Sequence, residues 1–160
     1  MPRRRLPLLP RPMPESPASD LRLRALRLLA RREHSRAELA RKLATHAESA
    51  EQLEMLLNAL QTERLLSDAR YASQRAAVRS ARFGNARLRQ ELRASGVGDD
   101  EAAAALAECG DEIARCRQVW QKKFGALPVN AEDRARQQRF LQYRGFASET
   151  IRHLFAGDDE

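Results

Sequence analysis

The residues of this sequence with the clearest potential for chemistry are its arginines and lysines. Three similar stretches carry them, SRAELARKL, GNARLRQEL and DRARQQRFL, at residues 35–43, 84–92 and 133–141. Guanidinium and ammonium groups donate hydrogen bonds and accept none, so the chemistry they offer is the binding of phosphate or carboxylate. The chain has 29 Lys and Arg against 22 Asp and Glu, a net charge of +7. This balance favours a polyanionic partner, either nucleic acid or an acidic protein surface.

The residue patterns of the common catalytic and metal sites are absent from the sequence. The three histidines lie far apart and form neither HxxxH nor HExxH spacing. No phosphate-binding G-x-x-x-x-G-K-[ST] loop occurs, and no serine sits in a nucleophile elbow. Asp99, Asp100 and Glu101 lack the alternating spacing of a calcium loop and suit the start of a solvated helix. We therefore predict a protein that is not an enzyme, with no catalytic residue, metal site or cofactor.

Cysteine use and hydropathy predict a cytoplasmic protein. Cys109 and Cys116 are too few for a disulfide framework, and no nearby histidine or third cysteine completes a metal set. They are interpreted as reduced, structural thiols. No run of about 18 apolar residues could cross a membrane. Residues 1–18 start basic like a signal peptide, but five prolines between positions 7 and 17 predict a disordered basic tail instead.

An internal repeat is the strongest signal of architecture. Leu43, Leu92 and Leu141 lie 49 residues apart, and neighbouring positions share the spacing. The other matching triplets are Ala37, Ala86 and Ala135; Ala47, Gly96 and Gly145; and Leu57, Leu106 and Phe155. Alanine, leucine, arginine and glutamate dominate the composition, and all are strong helix formers. The sequence predicts an all-α fold, a tandem array of three-helix repeats that is elongated and curved.

Turn and capping residues divide the chain into three predicted units of three helices each. The units are 19–64, 65–108 and 109–156, followed by an acidic tail at 157–160. The first helix is predicted to begin near Ser19 and Asp20, an N-cap pair. The third unit holds six of the eight aromatic residues and is expected to have the best core, whereas the alanine-rich third helix of the second unit is expected to pack thinly. A monomer is expected, because the units supply one another with stacking partners.

Charge alternates along these units. Residues 21–42 carry eight basic and two acidic side chains, whereas residues 46–63 carry four acidic and no basic ones. Residues 66–96 are again basic, and residues 99–112 carry six acidic and no basic side chains. If the units stack in register, one side of the array would be basic and another acidic. The alternative is that arginine serves only as a general solubilising residue.

Two segments suggest how the basic residues could be used. SRAELARKL follows a helix and a short turn, like the second helix of a helix-turn-helix, with Arg36, Arg41 and Lys42 facing outward. In the second segment, Arg136, Phe140 and Tyr143 stand at i, i+4 and i+7, with Arg139 beside the tyrosine. Such an aromatic and basic stripe suits stacking and anion binding. The alternative is that Phe140 fills the core and Tyr143 covers it.

The sequence resembles the RecX family of proteins, which regulate the RecA recombinase. The resemblance covers roughly residues 21–156. It is carried by the segments RALRLLARREHSRAELARKL, LLSDARYA, RLRQELRASGV, WQKKFG and RQQRFLQYRGFASETI, at 24–43, 65–72, 87–97, 120–125 and 136–151. It implies tandem three-helix repeats without enzymatic activity. It also implies binding to RecA filaments on single-stranded DNA, along the helical groove, with restraint of strand exchange, ATP hydrolysis and coprotease activity.

The residues expected to contact this partner are mostly basic side chains of the second helices. They are Arg36, Arg41, Lys42, Arg87, Arg89, Arg93, Lys122, Lys123, Arg136, Arg139, Tyr143 and Arg144. Core positions are assigned instead to Trp120, Phe124, Phe146, Leu43, Leu92 and Leu141. Weak, non-specific contact with DNA is expected. Two alternatives stay open at this point: a helix-turn-helix DNA-binding module that acts without RecA, and a helical scaffold without any role on DNA.

Overall fold

The computed structural model describes residues 16–157, and within that range the chain forms nine α-helices and no strand. They are α1 Pro17–Arg31, α2 Arg36–Leu43, α3 Ala50–Thr62, α4 Asp68–Arg79, α5 Asn85–Ala94, α6 Asp99–Ala107, α7 Glu112–Lys123, α8 Ala131–Tyr143 and α9 Ser148–Ala156. The extensive helix–helix contacts of the described chain all join helices within α1–α3, within α4–α6 or within α7–α9. We call these groups the first, second and third units. The predicted all-α repeat fold is confirmed.

Each unit has a hydrophobic core of its own. Leu43, Leu92 and Leu141 are at most 1% exposed, and each lies in the core of a different unit. The leucines of the 49-residue repeat are therefore core residues, as predicted. Trp120 and Phe146 are likewise buried in the third core. Because the cores are separate, the contacts between units must come from other residues.

Small side chains allow α4 and α6 of the second unit to pack closely. Ala72 and Ala76 of α4, with Ala102 and Ala105 of α6, are all buried in the second core. This helix pair makes the most extensive contact in the described chain. The expectation that α6 packs thinly is wrong, because alanine lets two helix backbones approach and gain dispersion contacts that larger side chains would prevent.

The first helix begins earlier than the sequence predicts. The Ser16 side chain accepts a hydrogen bond from the Ser19 backbone N–H at 3.2 Å, and Pro17 occupies the first helical position. Proline suits that position because the N–H it lacks would have no partner inside the helix. Residues 17 and 18 therefore belong to α1 and not to the predicted disordered tail. Residues 1–15 of that tail and residues 158–160 of the acidic tail lie outside the described residues.

Helix α8 begins at Ala131, three residues before the position that the repeat predicts. The Asn130 side chain accepts a hydrogen bond from the Asp133 backbone N–H at 2.8 Å and caps the helix. By the 49-residue repeat, α8 would begin at residue 134, because α2 begins at Arg36 and α5 at Asn85. The third unit therefore has an extra N-terminal turn on its second helix.

The joint between the first and second units forms at the start of α2. The backbone N–H of Arg36 donates to the Asp68 carboxylate at 2.7 Å, and the Ser35 hydroxyl donates to the Ser95 carbonyl at 2.6 Å. Gly96, at φ +80°, follows Ser95 and lies so close to Ala37 that a Cβ at position 96 would overlap the Ala37 Cβ. The second unit thus caps a helix of the first unit.

The joint between the second and third units repeats this plan at the start of α5. The Asn85 backbone N–H donates to the Glu112 carboxylate at 2.8 Å, and the Gly84 N–H donates to the Arg144 carbonyl at 2.9 Å. Gly145, at φ +90°, leaves no room for a Cβ against Arg87. Ala37 and Ala86, like Gly96 and Gly145, are repeat positions that lie at the joints, whereas the repeated leucines lie in the cores.

A buried guanidinium adds to the second joint. Arg115 of α7 is 8% exposed and donates to the carbonyls of Ser80 and Phe83, both at 3.1 Å, and to the Asn85 side chain. Its Nε has no partner among the described residues. A buried charge with several hydrogen bonds is costly to disturb, so Arg115 fixes the third unit against the second.

We expect Gly145→Ala to destabilise the protein more than Gly110→Ala. Both glycines have positive φ, at +90° and +79°, so alanine costs about 1–2 kcal/mol of backbone strain at either position. Only position 145 adds a steric overlap, with Arg87, which costs about 1–3 kcal/mol more. Urea unfolding of the two variants measures the difference. Equal losses in the free energy of unfolding would show that the joint is not close-packed.

We also expect stability to fall below about pH 6.5 because of His34. This side chain is 2% exposed, with Nδ1 3.1 Å from the Arg32 carbonyl and Nε2 3.1 Å from the Lys42 ammonium. Burial lowers the pKa of His34 in the folded protein, although the bond to Arg32 opposes it. The unfolded chain therefore binds the proton more tightly, so the contribution of His34 is complete above about pH 6.5 and is lost as the pH falls through the folded pKa.

The measurement compares the free energy of unfolding between pH 7.5 and pH 5 for the wild type, His34→Gln and His46→Gln. His46 is exposed and serves as the matched control. We expect the wild type and His46→Gln to lose more stability than His34→Gln over this interval. Parallel curves for all three proteins would contradict the assignment of a neutral, buried His34.

Candidate functional site

The predicted contact residues lie mainly on the second helix of each unit. α2 carries Arg36, Arg41 and Lys42; α5 carries Arg87, Arg89 and Arg93; α8 carries Arg136, Arg139 and Tyr143, with Arg144 at its C-cap; and α7 carries Lys122 and Lys123. Helix periodicity gives these side chains different surroundings, and the structure divides them into three sets. Some are tied to carboxylates of this chain, some are exposed without such a partner, and some form a cluster between two units.

The first set is neutralised inside the chain. The Arg36 guanidinium lies 2.6 Å from Glu54 of α3, and that of Arg93 lies 3.2 Å from Asp99 of α6. Segments of opposite charge in the sequence therefore pair in space, which reduces the predicted separation of basic and acidic sides. On α8, Arg136 bonds to Asp133 at 2.7 Å, and this hydrogen bond lowers the pKa of the Asp133 carboxyl.

The second set is exposed and free of ion pairs. Within residues 16–157, no carboxylate lies within 4.0 Å of the guanidinium groups of Arg41, Arg89 or Arg139. All three side chains are exposed, one on the second helix of each unit. Lys42 differs, since its ammonium lies 3.8 Å from Glu38 and 3.1 Å from His34. Free arginines of this kind can meet phosphates or carboxylates without breaking contacts in the fold.

The third set gathers around a phenyl ring at the second joint. The guanidinium carbons of Arg79 and Arg87 lie 4.5 and 4.3 Å from the centre of the Phe83 ring. Those of Arg82 and Arg144 lie 5.8 and 5.3 Å from it. The electron-rich face of the ring attracts each cation, so one aromatic side chain helps to hold four like charges together.

One carboxylate balances part of this cluster. Glu91 lies 2.6 Å from Arg79, 3.5 Å from Arg87 and 3.8 Å from Arg75. Partial burial alone would raise the pKa of Glu91, but the hydrogen bond and charge of Arg79 outweigh it, with help from Arg75 and Arg87, and the pKa is lowered. Glu91 is therefore ionised at neutral pH. A single negative charge leaves the cluster strongly positive.

Tyr143 stands at the edge of the same cluster. Its side chain is 78% exposed, and the Arg87 guanidinium carbon lies 5.8 Å from its ring centre. The alternative in which Tyr143 covers the core is wrong, because the ring points to solvent. A cleft of about 550 Å³ between α5 and α8 is lined by Arg87, Gln90, Glu91 and Tyr143, among others. An exposed ring beside a guanidinium can stack on a planar group while the cation meets an anion.

Phe140 has the core role that the sequence offered as an alternative. It is half-buried and packs against the third core, and its ring meets that of Phe124 edge to face at 5.4 Å between centres. Lys123 and Arg144 lie over its remaining surface, at 5.5 and 5.1 Å from the ring centre. Phe140 therefore lies between the third core and the cations of Lys123 and Arg144, and its ring does not serve as a contact for a partner.

The cysteines and the remaining acidic residues show no sign of reactive chemistry in the described part of the chain. Cys109 and Cys116 are unpaired thiols, and burial raises the pKa of Cys116 to about 12, so it stays protonated. Among residues 16–157, no group of three or more His, Cys, Asp or Glu is placed to hold a metal ion. None of the described helices combines the length and hydrophobicity that a bilayer crossing requires.

Sequence reasoning missed two groups of arginines. Arg79 and Arg82 complete the cluster around Phe83 but lie on α4 and in the turn after it, not on a second helix. The second group lies on α1 and consists of a row of three residues, Arg24, Arg27 and Arg31. The spacing i, i+3 and i+7 was the available signal for the row on α1, because such residues share one face of a helix.

Family models match two of the three units. The model described as the second three-helix domain of RecX matches residues 67–106, and the third three-helix domain of RecX matches residues 110–155. Among its relatives, the chain is 44% identical over 148 residues to "Regulatory protein RecX" of Ralstonia nicotianae, in an alignment that spans 92% of each protein. It is 47% identical over 139 residues to the protein of the same name from Leptothrix cholodnii, covering 86% of this chain and 88% of the relative.

Solved structures support the same fold. The crystal structure of RecX from Lactobacillus salivarius superposes with a TM-score of 0.80 at 19% identity, over 89% of this chain and 97% of that one. A second crystal structure, of a regulatory protein RecX, gives a TM-score of 0.76 at 21% identity, over 90% of this chain and 74% of that one. Family models, relatives and fold agree, and the chain belongs to the RecX family.

Proposed function

We propose that this protein binds RecA filaments on single-stranded DNA and restrains their recombinase, ATPase and coprotease activities. Its relatives carry the name of a regulatory protein, and that name supports regulation by binding without catalysis. In this proposal the protein acts as a cytoplasmic monomer in recombinational DNA repair and the SOS response. It needs no cofactor, because its effect comes from occupying a surface of the filament.

The observation that carries the proposal is the free arginine on the second helix of each unit. Arg41, Arg89 and Arg139 are exposed, and within residues 16–157 none has a carboxylate within ion-pair distance. A repeating partner, such as a filament with acidic faces and DNA phosphates, can meet one such cation per unit. Several moderate contacts of this kind reinforce one another when they are held on one chain.

The joints argue against the helix-turn-helix alternative. A recognition helix reads base edges with its N-terminal residues in the major groove. The starts of α2 and α5 are instead covered by the next unit, through Arg36 N–H to Asp68 and Asn85 N–H to Glu112. The Arg36 side chain is also held by Glu54. Neither helix can enter a groove end-on while the array is intact.

The main test is inhibition of the DNA-dependent ATPase of the cognate RecA on single-stranded DNA. We expect the wild type to inhibit, and the triple variant Arg41→Glu, Arg89→Glu, Arg139→Glu to need about tenfold more protein, because reversed charges repel the same surface. The matched control reverses three exposed arginines elsewhere: Arg64, Arg117 and Arg152. A folded wild type that fails to inhibit contradicts the proposed function, and equal effects of both triple variants contradict the role of the second helices.

The helix-turn-helix alternative makes a different prediction for duplex DNA. We expect only weak binding without sequence preference when RecA is absent, since the recognition ends of α2 and α5 are covered. Titration of a labelled duplex pool at two salt concentrations measures this. Tight binding to one sequence over others would instead support the DNA-binding module.

A further inference from the structure

A basic cleft on the first unit is lined mostly by residues that are not among the predicted contact residues. Its volume is about 400 Å³, and it is lined by Arg24, Arg27, Leu28, Arg31, Lys42, Leu43 and His46. The three arginines come from α1, and Lys42 lies at the end of α2. Four permanent cations therefore line one concave surface, and the partly buried Leu28 contributes its apolar floor. A volume of this size is typical of pockets that take small ligands or parts of larger ones.

Few carboxylates neutralise the cleft. Asp20 lies 3.4 Å from Arg24, and Glu38 lies 3.8 Å from Lys42. Both distances are longer than those of strong ion pairs. Arg27 and Arg31 are exposed, and no carboxylate of the described chain lies within 4.0 Å of either. Like charges that line one cleft repel one another, so an anion that enters the cleft lowers their electrostatic energy.

The hydrogen-bonding character of the cleft selects among anions. Arginine and lysine side chains are donors only, so its four cations offer no acceptors. The phosphates of a nucleic-acid backbone are acceptors only, and one occurs at every nucleotide. An acidic peptide would bring its own backbone N–H groups, which the cations could not satisfy. A phosphodiester strand therefore fits the cleft better than a protein segment.

The spacing of the arginines also suits a strand. From Arg24 to Arg31 the α1 axis rises about 10 Å, at about 1.5 Å per residue. That length corresponds to roughly three stacked nucleotides at about 3.4 Å each. Leu28, which is only partly buried, offers apolar surface to a sugar or base edge. Guanidinium forks bind phosphate oxygens in pairs, so the row could hold successive phosphates.

We propose that the α1–α2 cleft, through Arg24, Arg27, Arg31 and Lys42, is a binding site for the phosphodiester backbone of single-stranded nucleic acid. Through this site the chain binds a single strand directly, and the site is separate from the free arginines of the second helices. The inference rests on the proposed function only in that a RecA filament would be the source of the strand. The cleft itself can be tested without RecA.

The test is a fluorescence anisotropy titration of a labelled 15-nucleotide single strand with the full chain, at several salt concentrations. We expect Arg27→Gln with Arg31→Gln to weaken binding about tenfold and to reduce the salt slope by about 1.4, as two lost phosphate contacts at about 0.7 each require. Arg117→Gln with Arg152→Gln removes the same charge from exposed residues of the third unit and should change affinity less than about twofold. Unchanged urea midpoints establish that both variants are folded.

Two outcomes overturn the inference. Equal weakening by the two double variants would mean that only net charge matters. A cleft variant that loses binding to labelled poly-glutamate but keeps its affinity for the strand would assign the cleft to an acidic protein. The RecA ATPase assay is scored separately: a wild type that binds the strand through the cleft but does not inhibit RecA would contradict the proposed function and leave the cleft site standing.

Discussion

The array depends on one interaction made twice, a backbone N–H at the start of a second helix donating to a carboxylate of the next unit. Arg36 N–H meets Asp68, and Asn85 N–H meets Glu112. The first N–H groups of a helix have no partner within it, and its N-terminus carries partial positive charge, so a carboxylate there is favourable on both counts. With three separate cores, these polar contacts decide how the units are oriented, and hence where every surface cation lies.

The sequence predicted the repeat, the helices and the core leucines because each depends on local periodicity. It could not separate joints from cores, since Gly96 and Leu92 repeat with the same 49-residue spacing although one contacts a neighbouring unit and the other its own. The candidate site was predicted less well. Long side chains reach across units and helices, so Arg36 is neutralised by Glu54, and residues such as Arg79 join a cluster through Phe83.

The three groups of cations differ in what holds them. The exposed arginines of the second helices have no carboxylate of the described chain within ion-pair distance. The cluster around Phe83 is held by the ring and by Glu91, so its charge is fixed in position at the second joint. The cleft on the first unit is concave and has an apolar floor. One molecule thus presents exposed single arginines, a fixed cluster of cations and a basic cleft.

The second and third units each contact the preceding unit through a carboxylate and a glycine, and the first unit lacks both of these residues. The first residue of α4 and of α7 is a carboxylate, whereas α1 begins with Pro17, and Ala47 stands where the later units have Gly96 and Gly145. At the other end, α8 starts with an extra turn. A head-to-tail contact that could be repeated without limit would generate fibres. This chain has altered residues at both of its terminal faces, so neither face offers a second copy the contacts that form the two joints.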